Sequence, residues 1–289
     1  MKKISILLPV YNDEQYIKRS INSILKNTYS NFELIIINDG STDSTPDIIN
    51  KIYDPRMKVY SKQNTGPQDS LNYGIKKCNF EIIMRMDGDD EMMNNKIEIQ
   101  LLDFQNNKAV LSGTGGYIIN NNSEIKERIN VPESNNKIIN CLKSIKTSMI
   151  HPSIMFYKDA IIKAGLYDLK FDAADDYEMY YRISKIGQLS NINLPLLLLR
   201  KHEENMSVTQ SVKQVQNTLI ARKIYIENPE IKSINNALYF ETKDKIINSL
   251  TYSLLNLSNN YINKSKYVFI RLFYKVIRKL TLNSLNILR

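Results

Sequence analysis

Phe32-Glu33-Leu34-Ile35-Ile36-Ile37-Asn38-Asp39-Gly40-Ser41-Thr42-Asp43 decides the architecture. Four consecutive aliphatic residues with no polar alternation describe a strand covered on both faces, as in a parallel sheet packed between helices. The strand runs into an acid, a glycine and small polar residues, which make a strand-to-helix turn. Upstream, Ile4–Val10 reads as a second buried strand. Asn12 with Gln15 three residues on has the form of a capping box, and Ile17, Ile21, Ile24 and Leu25 give the following helix one apolar face. Downstream, Thr45-Pro46 is read as an N-cap followed by proline at the first helical position. Met57–Ser61 is a shorter strand, a helix from about Pro67 carries Leu71, Ile75 and Cys78 on one side, and Glu81–Met86 is a fourth strand.

Strands alternating with helices imply an α/β fold: a Rossmann-like, mostly parallel sheet with flanking helices. Ligands bind such sheets beyond the carboxyl ends of the strands. Asp39 and Asp87 both stand there. The middle of the chain is less regular. Ala109–Asn120 and Ile125–Val131 suggest an antiparallel hairpin. Ser148–Tyr157, a helix near Asp176–Ile186 and a strand Leu194–Arg200 follow. From about residue 209 the pattern is helical, with a break near Asn228-Pro229. The expected organisation is a domain over 1–208, divided into halves 1–105 and 106–208, and a helical basic tail 209–289.

Bulk composition narrows the function classes. Of 289 residues, 43% are hydrophobic and 24% charged, an ordinary globular balance. Cys78 and Cys141 are too few and too far apart for a disulfide framework or a zinc site, so reducing cytoplasm is the expected compartment. The opening apolar run breaks at Tyr11-Asn12-Asp13-Glu14 and is read as a strand, not a signal peptide. No stretch approaches the roughly 20 apolar residues of a membrane span. The net charge is +9, and Lys264, Lys266, Arg271, Lys275, Arg278, Lys279 and Arg289, with no acid among residues 261–289, account for +7 of it. The body is therefore near neutral and carries no recognition motif, which argues against a nucleic-acid partner. Within the tail, Tyr267, Ile270, Phe273, Tyr274 and Ile277 recur at helical spacing beside Arg271, Lys275 and Arg278. This pattern suits peripheral contact with the anionic inner face of the plasma membrane, or packing against a second copy of the chain.

Three acidic groups can carry chemistry. Asp87-Gly88-Asp89-Asp90 crowds carboxylates that repel one another unless a cation joins them, and Mg²⁺ or Mn²⁺ favours such oxygen ligands together with substrate phosphates. Asp39 can accept a hydrogen bond from a nucleobase N–H or a ribose hydroxyl. Asp175-Asp176, with Arg182 six residues on, offers a general base or simply a helix-start cap. Arg200 could face phosphate. The two histidines stand in His151-Pro152 and in Arg200-Lys201-His202.

Together with Ser5–Asn12, Asn64-Thr65-Gly66-Pro67, Arg85-Met86 and His151-Pro152-Ser153, these segments resemble the family 2 glycosyltransferases with the GT-A fold. Order and spacing agree from residue 3 to about 207. The resemblance implies that Asp39 holds the uracil of a UDP-sugar donor. It implies that Pro9, Tyr11 and Asn12 line the base and ribose pocket, and that Asn64, Gly66, Arg85, Asp87 and Arg200 complete the donor site. Asp87 and Asp89 correspond to the D-x-D pair, with His202 able to reach the metal or diphosphate. Asp176 matches the catalytic base. The usual Glu-Asp is here Asp175-Asp176, so either acid could serve. The implied reaction is inverting transfer of a hexosyl or N-acetylhexosaminyl group to a saccharide or lipid-linked saccharide hydroxyl, as in capsule, lipopolysaccharide or other surface-polysaccharide synthesis. A nucleotidyltransferase is the rival, but residues 4–15 contain no glycine for its phosphate loop. A non-catalytic protein on a degenerate transferase fold is a further alternative, against which intact Asp39, Asp89 and Asp176 speak.

Overall fold

The computed structural model describes residues 2–246, apart from 145, 147, 204, 206–208, 229, 230, 232 and 233. The tail expected to touch membrane or a second copy lies outside the described residues. In chain order the elements are β1 (Ile4–Val10), α1 (Ile17–Leu25), β2 (Phe32–Asn38), α2 (Thr45–Asn50), β3 (Met57–Ser61), α3 (Pro67–Lys77), β4 (Ile82–Arg85), β5 (Glu91–Met92), α4 (Lys96–Asn106), β6 (Leu111–Ile119), β7 (Ile125–Ile129), α5 (Asn135–Lys143), β8 (Met155–Tyr157), α6 (Lys158–Ala164), α7 (Asp175–Ile183), β9 (Leu189–Arg200) and α8 (Ser211–Glu227). Residues 236–246 are also helical.

The strands form one mixed sheet in the order β3-β2-β1-β4-β8-β6-β9-β5, with β7 paired to β6. β1, β2, β3 and β4 are parallel, as their alternation with helices requires. β8 then runs antiparallel to both β4 and β6. The second half is thereby joined to the first as a continuation of one sheet. The apolar run of β2 is buried throughout because it serves both faces. Ile35 and Ile37 face one core with Leu71, Ile75 and residues of α5–α8, while Leu34 and Ile36 face the other with Ile17, Ile21 and Ile97.

Four expectations change. Asn12 does not cap α1. It adopts a positive φ of 55°, its side-chain oxygen accepts from Thr42 N at 2.8 Å, and the helix begins at Ile17. Ser44, not Thr45, occupies the N-cap of α2. β9 begins at Leu189, five residues earlier than its apolar core suggests, because Leu189–Ile192 pairs with the start of β6. The boundary at 208 falls inside a packed unit. Ile220, Ala221, Ile224 and Tyr225 of α8 are buried in the core shared with α7, and Tyr225 Oη donates to Glu178 Oε1 at 2.6 Å. Among the described residues no helix is long and apolar enough to cross a membrane.

Candidate active site

The register of the parallel strands builds the site. Val10 pairs with Asn38, and Leu7 with Arg85, so the segments after β1, β2 and β4 emerge at one edge. After β4 the chain turns through Asp87, Gly88, Asp89 and Asp90. A carboxylate oxygen from each of the three acids lies within 4.8 Å of the others. Glycine at 88 lets a side chain close in: a Cβ there would fall 2.3 Å from Asp13 Oδ2. Asp13 thus brings a fourth acid against the turn. Sequence reading passed over it, since nothing local separates it from a solvated loop acid. Burial and the Asp89 charge hold its carboxyl well above the usual carboxylate range.

The partners around this turn differ in kind. Arg85 lies 2.7 Å from Asp87 Oδ1, and its Nε and Nη1 are buried without a hydrogen-bond partner among the described residues. Burial nonetheless raises Asp87 against the opposing pull of Arg85. Asp90 accepts from Arg200 N at 2.8 Å through Oδ1, while Oδ2 is buried and unpaired. Burial, then the neighbouring Asp89 and Asp87 charges, drive its pKa well up. Asp89 Oδ2 accepts from Asn205 Nδ2 at 3.0 Å and lies 3.0 Å from His202 Nε2. Converging carboxylates with an orphaned oxygen and little compensating charge are a donor set suited to a hard divalent cation. His202 reaches this set through Asp89, and Asp90 stands inside it rather than beside it.

The second cluster surrounds Asp39, which is buried at 3% exposure. Its Oδ1 accepts from Thr65 N at 3.0 Å and Lys62 Nζ at 2.5 Å, and its Oδ2 from Gly66 N at 2.9 Å. A carboxylate offers about four lone-pair sites, so roughly one is left for a ligand. Gly66 takes a φ of 96° to present its N–H. Asn64 packs over Gly40, where a Cβ would meet Asn64 N at 2.7 Å. Tyr11 is 48% exposed beside this cluster, Pro9 lies in β1 opposite Ile37, and Asn12 is engaged with Thr42 and Ser41.

The acid pair opens α7. Asp175 is buried and Asp176 half-buried. Burial and the Asp176 charge push Asp175 up to about 7, and burial raises Asp176. Gln68 Nε2 donates to Asp175 Oδ1 at 3.3 Å and to Asp172 Oδ1 at 3.1 Å. Beneath them His151 Nε2 lies 2.9 Å from Tyr167 Oη, and burial keeps the imidazole neutral by pushing its pKa well down. Tyr167 is fixed by a reciprocal backbone pair with the Asn72 amide, at 2.9 and 2.8 Å. Arg182 points away from the site into a buried pair with Glu178, 2.7 Å from Nε to Oε1.

Arg200 is the clear departure from expectation. Its side chain is fully buried and donates to Asp89 O at 2.8 Å, Asn120 O at 2.5 Å, Glu91 Oε1 at 2.5 Å and Ser123 Oγ at 3.1 Å. The guanidinium also lies 4.7 Å from the Tyr16 ring centre. With its donors spent inside the protein it braces the Asp89-Asp90 backbone and does not face a phosphate. A lone Arg after a strand reads the same in sequence whether its head is free or encased.

The family model described as Glycosyl transferase family 2 matches residues 5–166. The O-antigen biosynthesis glycosyltransferase WbnJ of Escherichia coli is 35% identical over 214 residues, covering 72% of this chain and 82% of WbnJ. The structure of Staphylococcus aureus TarS 1–349 in complex with UDP-GlcNAc superposes with a TM-score of 0.63 at 18% identity, covering 90% of this chain and 76% of that one. The mannosyltransferase PcManGT of Pyrobaculum calidifontis, in complex with GDP-Man and Mn²⁺, gives a TM-score of 0.59 at 13% identity over 97% of this chain and 85% of that one.

Proposed function

The chain belongs to glycosyl transferase family 2, and from that premise we propose that it is a metal-dependent inverting transferase. In this reading it moves a hexosyl or N-acetylhexosaminyl group from a UDP-sugar to a hydroxyl of a saccharide or lipid-linked saccharide, in surface-polysaccharide assembly. The observation that carries the proposal is the meeting of three acidic groups at one sheet edge. Arg85 contacts Asp87 and faces Asp175, while Gln68, which bonds Asp175, follows two residues after the Gly66 N–H bound to Asp39. WbnJ supports the pathway class, and the UDP-GlcNAc complex of TarS supports the donor class.

Each residue has a physical task. Asp39 takes an N–H from the base with its remaining lone pair, and Tyr11 offers a ring face beside it. Asp87 and Asp89, with Asp90, would hold Mg²⁺ or Mn²⁺; when bound, the ion supplies charge neutralisation to the departing diphosphate. Asp176, the more accessible of the pair, takes the acceptor hydroxyl's proton as that oxygen bonds to the anomeric carbon. The bond from this carbon to the diphosphate oxygen breaks on the opposite face, so UDP leaves and the configuration inverts.

Asp176→Asn tests the assignment. The expected result is loss of UDP release with UDP-glucose, UDP-galactose and their N-acetyl forms, with UDP affinity by calorimetry unchanged. A variant that loses UDP affinity in parallel with turnover would not have lost a base. Release of pyrophosphate instead of UDP by the wild type would point to nucleotidyl transfer.

A further inference from the structure

Gln68 belongs to none of the acidic groups, yet it touches the pair that opens α7. It is the second residue of α3, 4% exposed, and its side-chain nitrogen bridges two carboxylates more than a hundred residues away. An amide nitrogen carries two hydrogens, so each acid receives one. Asp172 has other support. Its second oxygen pairs with Lys213 of α8, and its carbonyl accepts from Asn217 Nδ2 at 2.8 Å. Asp175 depends more heavily on Gln68. The charged and titratable groups around it are Asp176 on its own helix, Arg85 from β4, and Tyr167 and Tyr180.

Consecutive residues on an α-helix point about 100° apart, so Asp175 and Asp176 cannot present carboxylates to one atom in the same way. The side chain that is tied down is withdrawn, and its neighbour is left to act. We propose that Gln68 is a positioning residue which clamps Asp175 against the floor of the site and so leaves Asp176 as the group that meets the acceptor. This rests on the glycosyl-transfer reading given above. The stretch 65–68 then does two things in sequence: Thr65 and Gly66 bind Asp39 through backbone N–H groups, and Gln68 binds Asp175. One short segment couples the order of the nucleotide subsite to the order of the acid pair.

The test is Gln68→Met, which keeps length and apolar bulk but removes the donor, beside Gln68→Glu, which keeps shape and reverses the polarity. Both are compared in wild-type and Asp175→Ala backgrounds. The expected result is a fall in kcat of about tenfold for Gln68→Met, the worth of a hydrogen bond to a charged group, and at least as much for Gln68→Glu. UDP affinity by calorimetry and donor KM should stay within about twofold of wild type in both, since a hydrogen bond made only to the acid pair contributes little to donor binding. Asp175→Ala should keep measurable turnover, and Gln68→Met should lower it no further, because the residue through which Gln68 acts is gone. Wild-type kcat in Gln68→Met, a loss of UDP affinity matching the loss of kcat, or a further fall in the Asp175→Ala background would overturn the proposal. An inactive Asp175→Ala beside an active Asp176→Asn would assign the proton to Asp175 and end it too, leaving glycosyl transfer intact. Failure of the wild type to release UDP from any of the four donors would instead remove the UDP-sugar donor reading.

Discussion

Lys96→Met is the substitution whose outcome follows most directly from the structure. Lys96 opens α4 and is fully buried. Its ammonium donates to Gln100 Oε1, and to Ser153 O at 3.0 Å. Gln100 in turn donates to Ser153 O and to Ser112 O, at 2.9 and 3.0 Å. This network pins the turn His151–Ser153, next to the residue whose carbonyl accepts from Arg85 N, to α4 and β6. Burial pulls the Lys96 pKa down to about 7. In the unfolded chain it returns to about 10.4. Between those values the unfolded state holds a proton that the folded state lacks, so stability rises with pH across that window. The penalty is fully expressed below about pH 7 and is gone above about pH 10.4. At about 1.4 kcal/mol per pH unit, reduced near the half-titrated start, the gain from about pH 7 to about pH 9 is roughly 2 kcal/mol. Methionine fills similar volume without a titrating group, so the variant lacks this gain. Urea unfolding of both proteins at the two pH values measures it: the wild type should gain about 2 kcal/mol on Lys96→Met. Contributions from other titrating groups cancel in the difference. Parallel pH dependences would show that Lys96 keeps its proton in the folded protein, and would refute the argument.

Two further outcomes follow from the site. Asp13→Asn keeps an oxygen to accept from Tyr11 N, a bond of 3.1 Å, but removes a negative charge beside Asp89. Manganese affinity in the presence of UDP should fall by about fivefold, the effect of one nearby screened charge, and an unchanged titration would exclude Asp13 from the cation's surroundings. Arg200→Ala strips partners from Glu91, Asn120 O and Asp89 O, and should cost about 3 kcal/mol in unfolding free energy. UDP affinity of the folded fraction should stay close to wild type; a selective loss of UDP binding at normal stability would return Arg200 to the phosphates.

Much of the first half was legible in the chain itself. The limits of β1 and β2 coincide with their apolar runs because a strand buried on both faces has no reason to alternate. The acids at the ends of β2 and β4 are found together because parallel strands bring like ends to one edge. Helix starts were less legible. Asn12 has the right neighbours for a cap, yet its side chain is claimed by Thr42, thirty residues on. Short polar side chains bond whatever backbone lies near, and local sequence does not say which that is.

What the sequence by itself determined, then, is the order of the layers and the edge at which chemistry can occur, since both follow from burial and strand direction. Only the tertiary structure decided which polar groups are free to act. It encased Arg200, set Asp13 against Gly88, withdrew Asp175 under Gln68 and drew α8 into the core. Those outcomes depend on contacts between segments far apart in the chain. A charged residue carries the same local signature whether its partner is solvent, substrate or a buried carbonyl.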